Sequence, residues 1–203
     1  DIAIDVDGYT RGSRPKIFAQ RAAPVQVSYL AYAGTLGVEH IDYLVADPTL
    51  IGPEETGHYA EKIAWMPHSY QPRDTRIVPA ETPTRAAAGL PEAGFVFCCF
   101  NASYKITPDV FVDWMAILAR VPGSVLWLLG ASPAVIANLR QAAASAGIAP
   151  ERLVFAGHAP LRRHLARLRL AGLVLDTLPY NAHTTASDAL FVGVPLLTRP
   201  GAT

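Results

Sequence analysis

Leu173-Val174-Leu175-Asp176-Thr177-Leu178-Pro179-Tyr180-Asn181-Ala182-His183-Thr184-Thr185-Ala186-Ser187-Asp188-Ala189-Leu190-Phe191-Val192 is the stretch on which the fold turns. A short apolar run ends in an acid, a polar loop follows, and an apolar helical stretch takes over. That is a strand handing over to a helix, the joint from which parallel α/β sheets are built. The first amides of a helix lack intrahelical acceptors and carry the positive end of its dipole. Thr184 and Thr185 in that first turn, with His183 just before them, therefore predict an anion site suited to phosphate. A plain cap, with Thr185 and Asp188 spaced as a capping box, is the competing reading.

Working outward, the same alternation recurs. Strands are expected at 95–100, 124–129, 152–156, 173–176 and 195–198, and helices at 107–120, 133–146, 161–171 and 184–193. Thr107-Pro108 supplies an N-cap followed by proline at the first helical position, and Gly147 a C-terminal glycine. Continuously apolar strands mean a parallel sheet covered on both faces. Upstream, strands at 1–6, 25–30, 41–46 and 62–66 accompany helices near 15–21 and 53–61. Pro72, Pro79, Pro83 and Pro91 mark 71–92 as a linker. The expected division is a first lobe plus linker at 1–85 and a second, nucleotide-binding lobe at 86–203. Both ends fall beside strands, so the chain reads as a segment of a longer polypeptide, with the first lobe incomplete at its start and the second at its end.

Composition excludes several classes. The 203 residues are 51% hydrophobic, and 17 basic residues balance 17 acidic ones, so no global field exists to hold nucleic acid or an anionic membrane. No apolar run approaches the roughly 20 residues of a membrane span, and no signal-peptide pattern opens the chain. Cys98 and Cys99 are neighbours in a strand and point to opposite faces, which suggests neither a disulfide nor a metal site. A cytoplasmic setting is expected.

Ligands of such sheets bind beyond the carboxyl ends of the strands, so the loops to watch are 101–107, 130–133, 157–161, 177–184 and 199–203. Lys105 sits in the first and can reach an anion; the alternative is a solvated surface lysine. Gly157 and Ala159 keep the third loop slim enough for a flat ring to approach its backbone. His164 then stands where it can stack on that ring, with Arg167 one turn on; the alternative is an exposed basic helix face. Asp188 offers a carboxylate to a ribose. Cation, helix terminus, acid and ring slot together describe a nucleoside diphosphate pocket. No Gly-x-Gly-x-x-Gly and no Gly-Lys-Ser/Thr loop is present, which disfavours dinucleotide oxidoreductases and P-loop enzymes. Asp5-Val6-Asp7 has the spacing of a metal-holding Asp-x-Asp but falls at a strand end, and is read as strand-edge polarity.

With these residues in view, the chain resembles the catalytic region of the O-linked N-acetylglucosamine (O-GlcNAc) transferases, nucleocytoplasmic protein glycosyltransferases. The resemblance runs end to end. It is carried by Asp7-Gly8-Tyr9-Thr10-Arg11-Gly12, Arg21-Ala22-Ala23-Pro24, Tyr32-Ala33-Gly34-Thr35, Met66-Pro67-His68, Phe100-Asn101, Tyr104-Lys105, Val121-Pro122-Gly123-Ser124-Val125-Leu126-Trp127-Leu128-Leu129, Asp176-Thr177 and His183-Thr184-Thr185. The short linker implies a bacterial homologue. The resemblance further implies an α/β fold of two Rossmann-like lobes, of the GT-B glycosyltransferase type, and a uridine diphosphate (UDP) sugar donor between them.

Carried over to matching positions, it implies Lys105 and His183 as catalytic groups at the diphosphate. Thr184 and Thr185 meet the phosphates, Ala159 meets uracil through its backbone, and His164, Arg167 and Asp188 surround the nucleoside. Tyr9, Arg14, Gly34, Thr35 and Tyr180 face sugar and acceptor. The implied reaction is an inverting transfer of N-acetylglucosamine from UDP-GlcNAc to Ser/Thr of proteins. It needs no cofactor and no metal, the UDP-sugar being a substrate, and the full-length protein is expected to carry an upstream helical-repeat (TPR) region. Four positions depart from the family pattern: Ala33, Ala102 (glutamine expected), Leu161 (lysine expected) and Tyr180 (cysteine expected, beside the sugar's acyl group). His68 belongs to the first lobe and reads as support for a strand end rather than as the base. The rival readings are a UDP-glucose-dependent glucosyltransferase, a UDP-sugar epimerase and a non-catalytic nucleotide-binding segment.

Overall fold

The computed structural model describes residues 1–200. The last three positions of the expected 199–203 loop, Gly201, Ala202 and Thr203, lie outside the described residues. The chain divides into two compact units, Asp1–Arg73 and Asp74–Thr203.

In the first unit β1 (Ile2–Asp5), β2 (Val25–Ser28), β3 (Tyr43–Ala46) and β4 (Lys62–Trp65) form a parallel sheet in sequence order. Its small core is Leu44, Ala46 and Ile51 with Ile63 and Tyr59 against them. The helices expected near 15–21 and 53–61 are single 3₁₀ segments, Pro15–Gln20 and Pro53–His58. Each opens on proline, and neither has a buried residue to draw it into a longer helix. Gly8 turns the chain out of β1 at φ +55°, where a Cβ would lie 2.5 Å from that of Tyr32.

The second unit is a five-stranded parallel sheet: β5 (Val96–Cys99), β6 (Val125–Leu129), β7 (Leu153–Ala156), β8 (Leu173–Leu175) and β9 (Leu196–Leu197), in the order β7-β6-β5-β8-β9. Its helices are α1 (Pro108–Arg120), α2 (Pro133–Ser145), α3 (Leu161–Leu168) and α4 (Thr184–Phe191). Alternate side chains of each strand feed two apolar layers. Cys99, Leu126, Leu128 and Leu153 pack with Val110, Trp114 and Leu118 of α1. Cys98, Trp127 and Val174 pack on the other face with Leu168 and Ala189. The opposite-face reading of the two cysteines therefore holds, and both are buried free thiols. Burial pushes both thiols up, Cys99 to about 12.

Thr107 accepts from the Val110 amide to start α1, and Ser132 caps α2 in the same way. Gly94 has φ +98°, and a Cβ there would sit 2.1 Å from the Gly123 carbonyl oxygen, so only glycine fits where the chain enters β5. The unit boundary falls at 73/74 rather than 85/86. The reason is that residues 78–80 are stitched to α3: the Ala80 amide donates to the Arg162 carbonyl at 2.9 Å, and Arg162 Nε to that of Val78 at 2.7 Å.

The sheet order reverses direction between β5 and β8. Such a switch point leaves a crevice beyond the carboxyl ends of the two strands. The two loops that leave those ends are 100–107 and 176–183.

Candidate functional site

Asp176 closes β8 at that crevice and is buried, 7% exposed. Among the described residues five groups donate to its carboxylate: Asn101 Nδ2 (3.2 Å), the Thr177 amide (2.8 Å), the Ala182 amide (2.7 Å), Asn181 Nδ2 (3.1 Å) and Thr198 Oγ1 (2.6 Å). One carboxylate thus pins the start and end of the 177–182 loop and ties it to β5 through Asn101. Asn101 is itself buried; it donates also to Thr177 Oγ1 at 2.8 Å and accepts from Thr185 Oγ1. Burying this many polar groups is tolerable because they satisfy one another.

Lys105 lies in a 3₁₀ turn, Ser103–Lys105, directly after β5. It is half-buried, not a solvated surface lysine. Its ammonium donates to the Asn181 carbonyl at 2.9 Å and stands 3.5 Å from the centroid of the Tyr180 ring. Burial draws its pKa below the ordinary lysine value, while the Asp176 carboxylate and Cys99 act the other way. Tyr180 also meets the His183 ring edge-on, centroids 5.8 Å apart at 81°. Burial, and next the Lys105 charge, hold His183 below its usual 6.5, with Asp176 opposing. The crevice therefore pairs a fixed cation with an imidazole held toward its neutral form.

The capping box is corrected. α4 begins at Thr184 with His183 as N-cap, and no side-chain cap bond is formed. Thr185 turns to Asn101 instead, and the buried Asp188 faces α3, 3.6 Å from His164 Nε2. The exposed-face alternative for α3 is likewise set aside. His164 packs on Phe100 (5.4 Å, tilted), and the Arg167 guanidinium lies 4.7 Å over the same ring. Arg167 donates to the Gly157 carbonyl at 2.5 Å and lies 3.2 Å from His164 Nδ1.

Beside this stack is a cavity of about 610 Å³ walled by Trp127, Phe155, Gly157, Ala159, Arg163 and Arg167, with residues of the 80–89 segment across from them. Two donors of its lining residues, Trp127 Nε1 and Arg167 Nε, are buried without a hydrogen-bond partner among the described residues. The ring slot expected at Gly157 and Ala159 thus opens onto this cavity.

In the first unit Tyr9, Gly34 and Thr35 come together and Arg14 does not join them. The Tyr9 hydroxyl donates to the Leu36 carbonyl at 2.7 Å, and its ring meets Tyr32 edge-on. Gly34 lies against the same Tyr32 ring. Thr35 donates to the buried Glu61 at 2.6 Å, which also accepts from the Leu36 amide. Arg14 is exposed ahead of its 3₁₀ segment. Asp5 accepts from the amides of Asp7 and Gly8, a turn-closing role that occupies one of its oxygens. Among the described residues no group of three or more His, Cys, Asp or Glu side chains is placed to hold a metal ion, and no helix is long and apolar enough to cross a membrane.

Asn101, Asp176 and Asn181 had no role assigned from sequence. The signals were the presence of Asn101 and Asp176 in the family-like Phe100-Asn101 and Asp176-Thr177 pairs and an acid terminating the otherwise apolar Leu173-Val174-Leu175 run.

Comparison with known proteins gives concordant matches. The family model of glycosyl transferase family 41 matches residues 1–81 and 77–203. A probable UDP-N-acetylglucosamine–peptide N-acetylglucosaminyltransferase, SEC, of Arabidopsis thaliana is 42% identical over 98% of this chain, which covers 21% of that protein. The chain thus spans about a fifth of the length of this curated relative. A mutant O-GlcNAc transferase of Thermobaculum terrenum superposes over 100% of the chain, and 38% of its own, with a TM-score of 0.85 and 34% identity. The Anabaena protein HepE, solved with UDP-glucose, shares the fold at 18% identity, with a TM-score of 0.62 over 87% of this chain and 54% of its own.

Proposed function

The chain belongs to glycosyl transferase family 41, with the GT-B type of α/β fold, and on that premise we propose that it carries the donor-binding part of a protein O-glycosyltransferase. The donor is UDP-N-acetylglucosamine and the acceptors are Ser and Thr hydroxyls of proteins. The observation that carries this reading is the meeting of Lys105 with the loop that leads into α4: one ammonium, one imidazole and one helix N-terminus share the switch-point crevice.

In the proposed reaction the acceptor hydroxyl attacks the anomeric carbon from the face opposite the diphosphate and loses its proton to solvent. The carbon–oxygen bond to the diphosphate breaks, and the sugar is inverted. Negative charge grows on the departing diphosphate, so Lys105 and the α4 amides stabilise the transition state more than the ground state. Thr184 and Thr185 sit in the first turn of α4 for the same phosphates. The His183 imidazole, held toward neutrality, donates a hydrogen bond without a second full charge. The cavity at Gly157 and Ala159 takes the nucleobase. His164, Arg167 and Asp188 frame the nucleoside. Cation and helix dipole do here what a divalent ion does elsewhere, so transfer is expected to persist in chelator.

The test uses the full-length protein with UDP-GlcNAc labelled in the sugar, a cell lysate as acceptor and a donor-only control. Label in protein, released by β-elimination, is the expected result. Free epimerised sugar in the donor-only control sinks the transferase reading in favour of an epimerase; no turnover in either favours a binding segment.

One observation favours a second donor, UDP-glucose. Tyr180 stands where the family pattern has cysteine, and its phenol is bulkier than a thiol. Gain or loss of a few buried methylene-sized contacts shifts selection by about 1–3 kcal/mol. Competition between the two donors in the parent and in Tyr180→Cys decides it: the cysteine variant should use relatively more of the N-acetylated donor, and an unchanged ratio removes residue 180 from the sugar pocket.

A further inference from the structure

We propose that Tyr180 is a positioning residue, a neutral aromatic seat that fixes the Lys105 ammonium for the diphosphate. The inference rests on the nucleotide reading of this crevice. Two anchors on consecutive residues grip the same Nζ: the Asn181 carbonyl at 2.9 Å and the Tyr180 ring at 3.5 Å from its centroid. The backbone that carries them is itself held. Thr177 Oγ1 donates to the Tyr180 carbonyl at 2.8 Å, and Asn181 Nδ2 donates to Asp176 and to the Thr177 carbonyl. The same ring meets His183 edge-on.

The chemistry explains why a ring stands there. A half-buried ammonium needs a counter-field, or burial drives its proton off. A carboxylate in direct contact would supply it, but would also repel an arriving diphosphate. The negative face of an aromatic ring attracts the cation without bringing net charge. The titratable groups that bear on Lys105 are Asp176 at the end of β8, Cys99 in β5, and Tyr180 and His183 in the loop before α4. Asp176 spends its carboxylate on five donors, none of them Lys105. Cys99 is a neutral thiol at ordinary pH. That leaves the Asn181 carbonyl and the Tyr180 ring as the neutral groups that meet the charge, the ring being the side chain of the pair.

The experiment compares the parent full-length protein with Tyr180→Leu and Tyr180→Phe in two measurements. The first is the pH dependence of trace acetylation at Lys105, read by mass spectrometry of its peptide without any nucleotide. The second is calorimetric binding of UDP. The expected result is a Lys105 titration midpoint lower in the leucine variant than in the parent, and kept by phenylalanine. UDP affinity should fall about five- to tenfold with leucine and less than about twofold with phenylalanine. A midpoint that leucine leaves in place overturns the proposal, and so does a phenylalanine variant that behaves like leucine. A shifted midpoint in a parent that does not bind UDP overturns the nucleotide reading instead, so the two failures are told apart.

Discussion

The two ends of the second unit's sheet are built around opposite charges. At the amino end Arg152, just ahead of β7, donates to the carbonyls of Leu118, Val121 and Ser124 and to Ser124 Oγ, at 2.7–3.0 Å. At the carboxyl end Asp176 accepts from five donors. Arg152 closes the end of α1, adding a charged donor to the Leu118 and Val121 carbonyls, which also accept from the Val121 and Ser124 amides. It presents nothing outward. Asp176 gathers side chains and loop amides, and the loop so shaped delivers Tyr180 and Asn181 to Lys105 and His183 to the head of α4. A similar density of buried hydrogen bonds serves closure at one end and display at the other.

The largest expected effect is at Asp176. Asp176→Ala strands buried donors, and breaking such a network costs about 3–5 kcal/mol of stability. Turnover of donor should fall further than the folded fraction does, because the loop loses its shape. Urea unfolding followed by turnover at matched folded protein measures both. Lys105→Ala comes next. It removes a charge-assisted contact of about 1.5–3 kcal/mol, roughly a 10- to 100-fold loss of turnover. Its unfolding midpoint should stay near that of the parent. The parent's activity should also fall on the alkaline side below the ordinary lysine value, since Lys105 loses its proton early; that limb should vanish in the alanine variant.

Arg152→Ala sharpens the contrast from the other end. Loss of a charged donor to helix-end carbonyls is expected to cost about 2 kcal/mol of stability, with UDP affinity within about twofold of the parent. If Arg152→Ala weakens UDP binding as much as Lys105→Ala does, the division between closure and display is wrong. The smallest effect is at His183. Its folded pKa is depressed, so the unfolded chain binds the proton more readily. Stability therefore falls as pH drops through the unfolded value near 6.5, and levels off below the folded one. His183→Gln should remove part of that acid slope in urea titrations at pH 5 to 7.

Much of this was legible before any coordinates. All nine strands among the described residues lie within the expected spans; β5 and β6 of the second sheet are buried almost throughout and so are apolar along their length. The alternation alone named five carboxyl-end loops, and the two that carry Lys105 and His183 are among them; which two flank the switch point needed the strand order. What the sequence hid was pairing across distance. Asn101 meets Asp176 and Thr177 from 75 and 76 positions away, and Thr185 from 84. No local pattern marks such partners. Thr185 and Asp188 showed the reverse error: a local spacing suggested a capping box, and tertiary partners on β5 and α3 claimed both side chains. The helices expected near 15–21 and at 53–61, the second on acidic residues in its first turn, stop as 3₁₀ segments because no residue in either is buried to extend them.

Cys98 and Cys99 give the chain a built-in reporter. They lie on the middle strand of the second sheet, one in each apolar layer, and their thiols are held protonated by burial. An alkylating reagent reacts with thiolate and needs access, so neither sulfur answers while the sheet is intact. Their labelling rate in native buffer is consequently a clock for opening of the innermost strand, and the ratio of the two rates tells which layer lifts first.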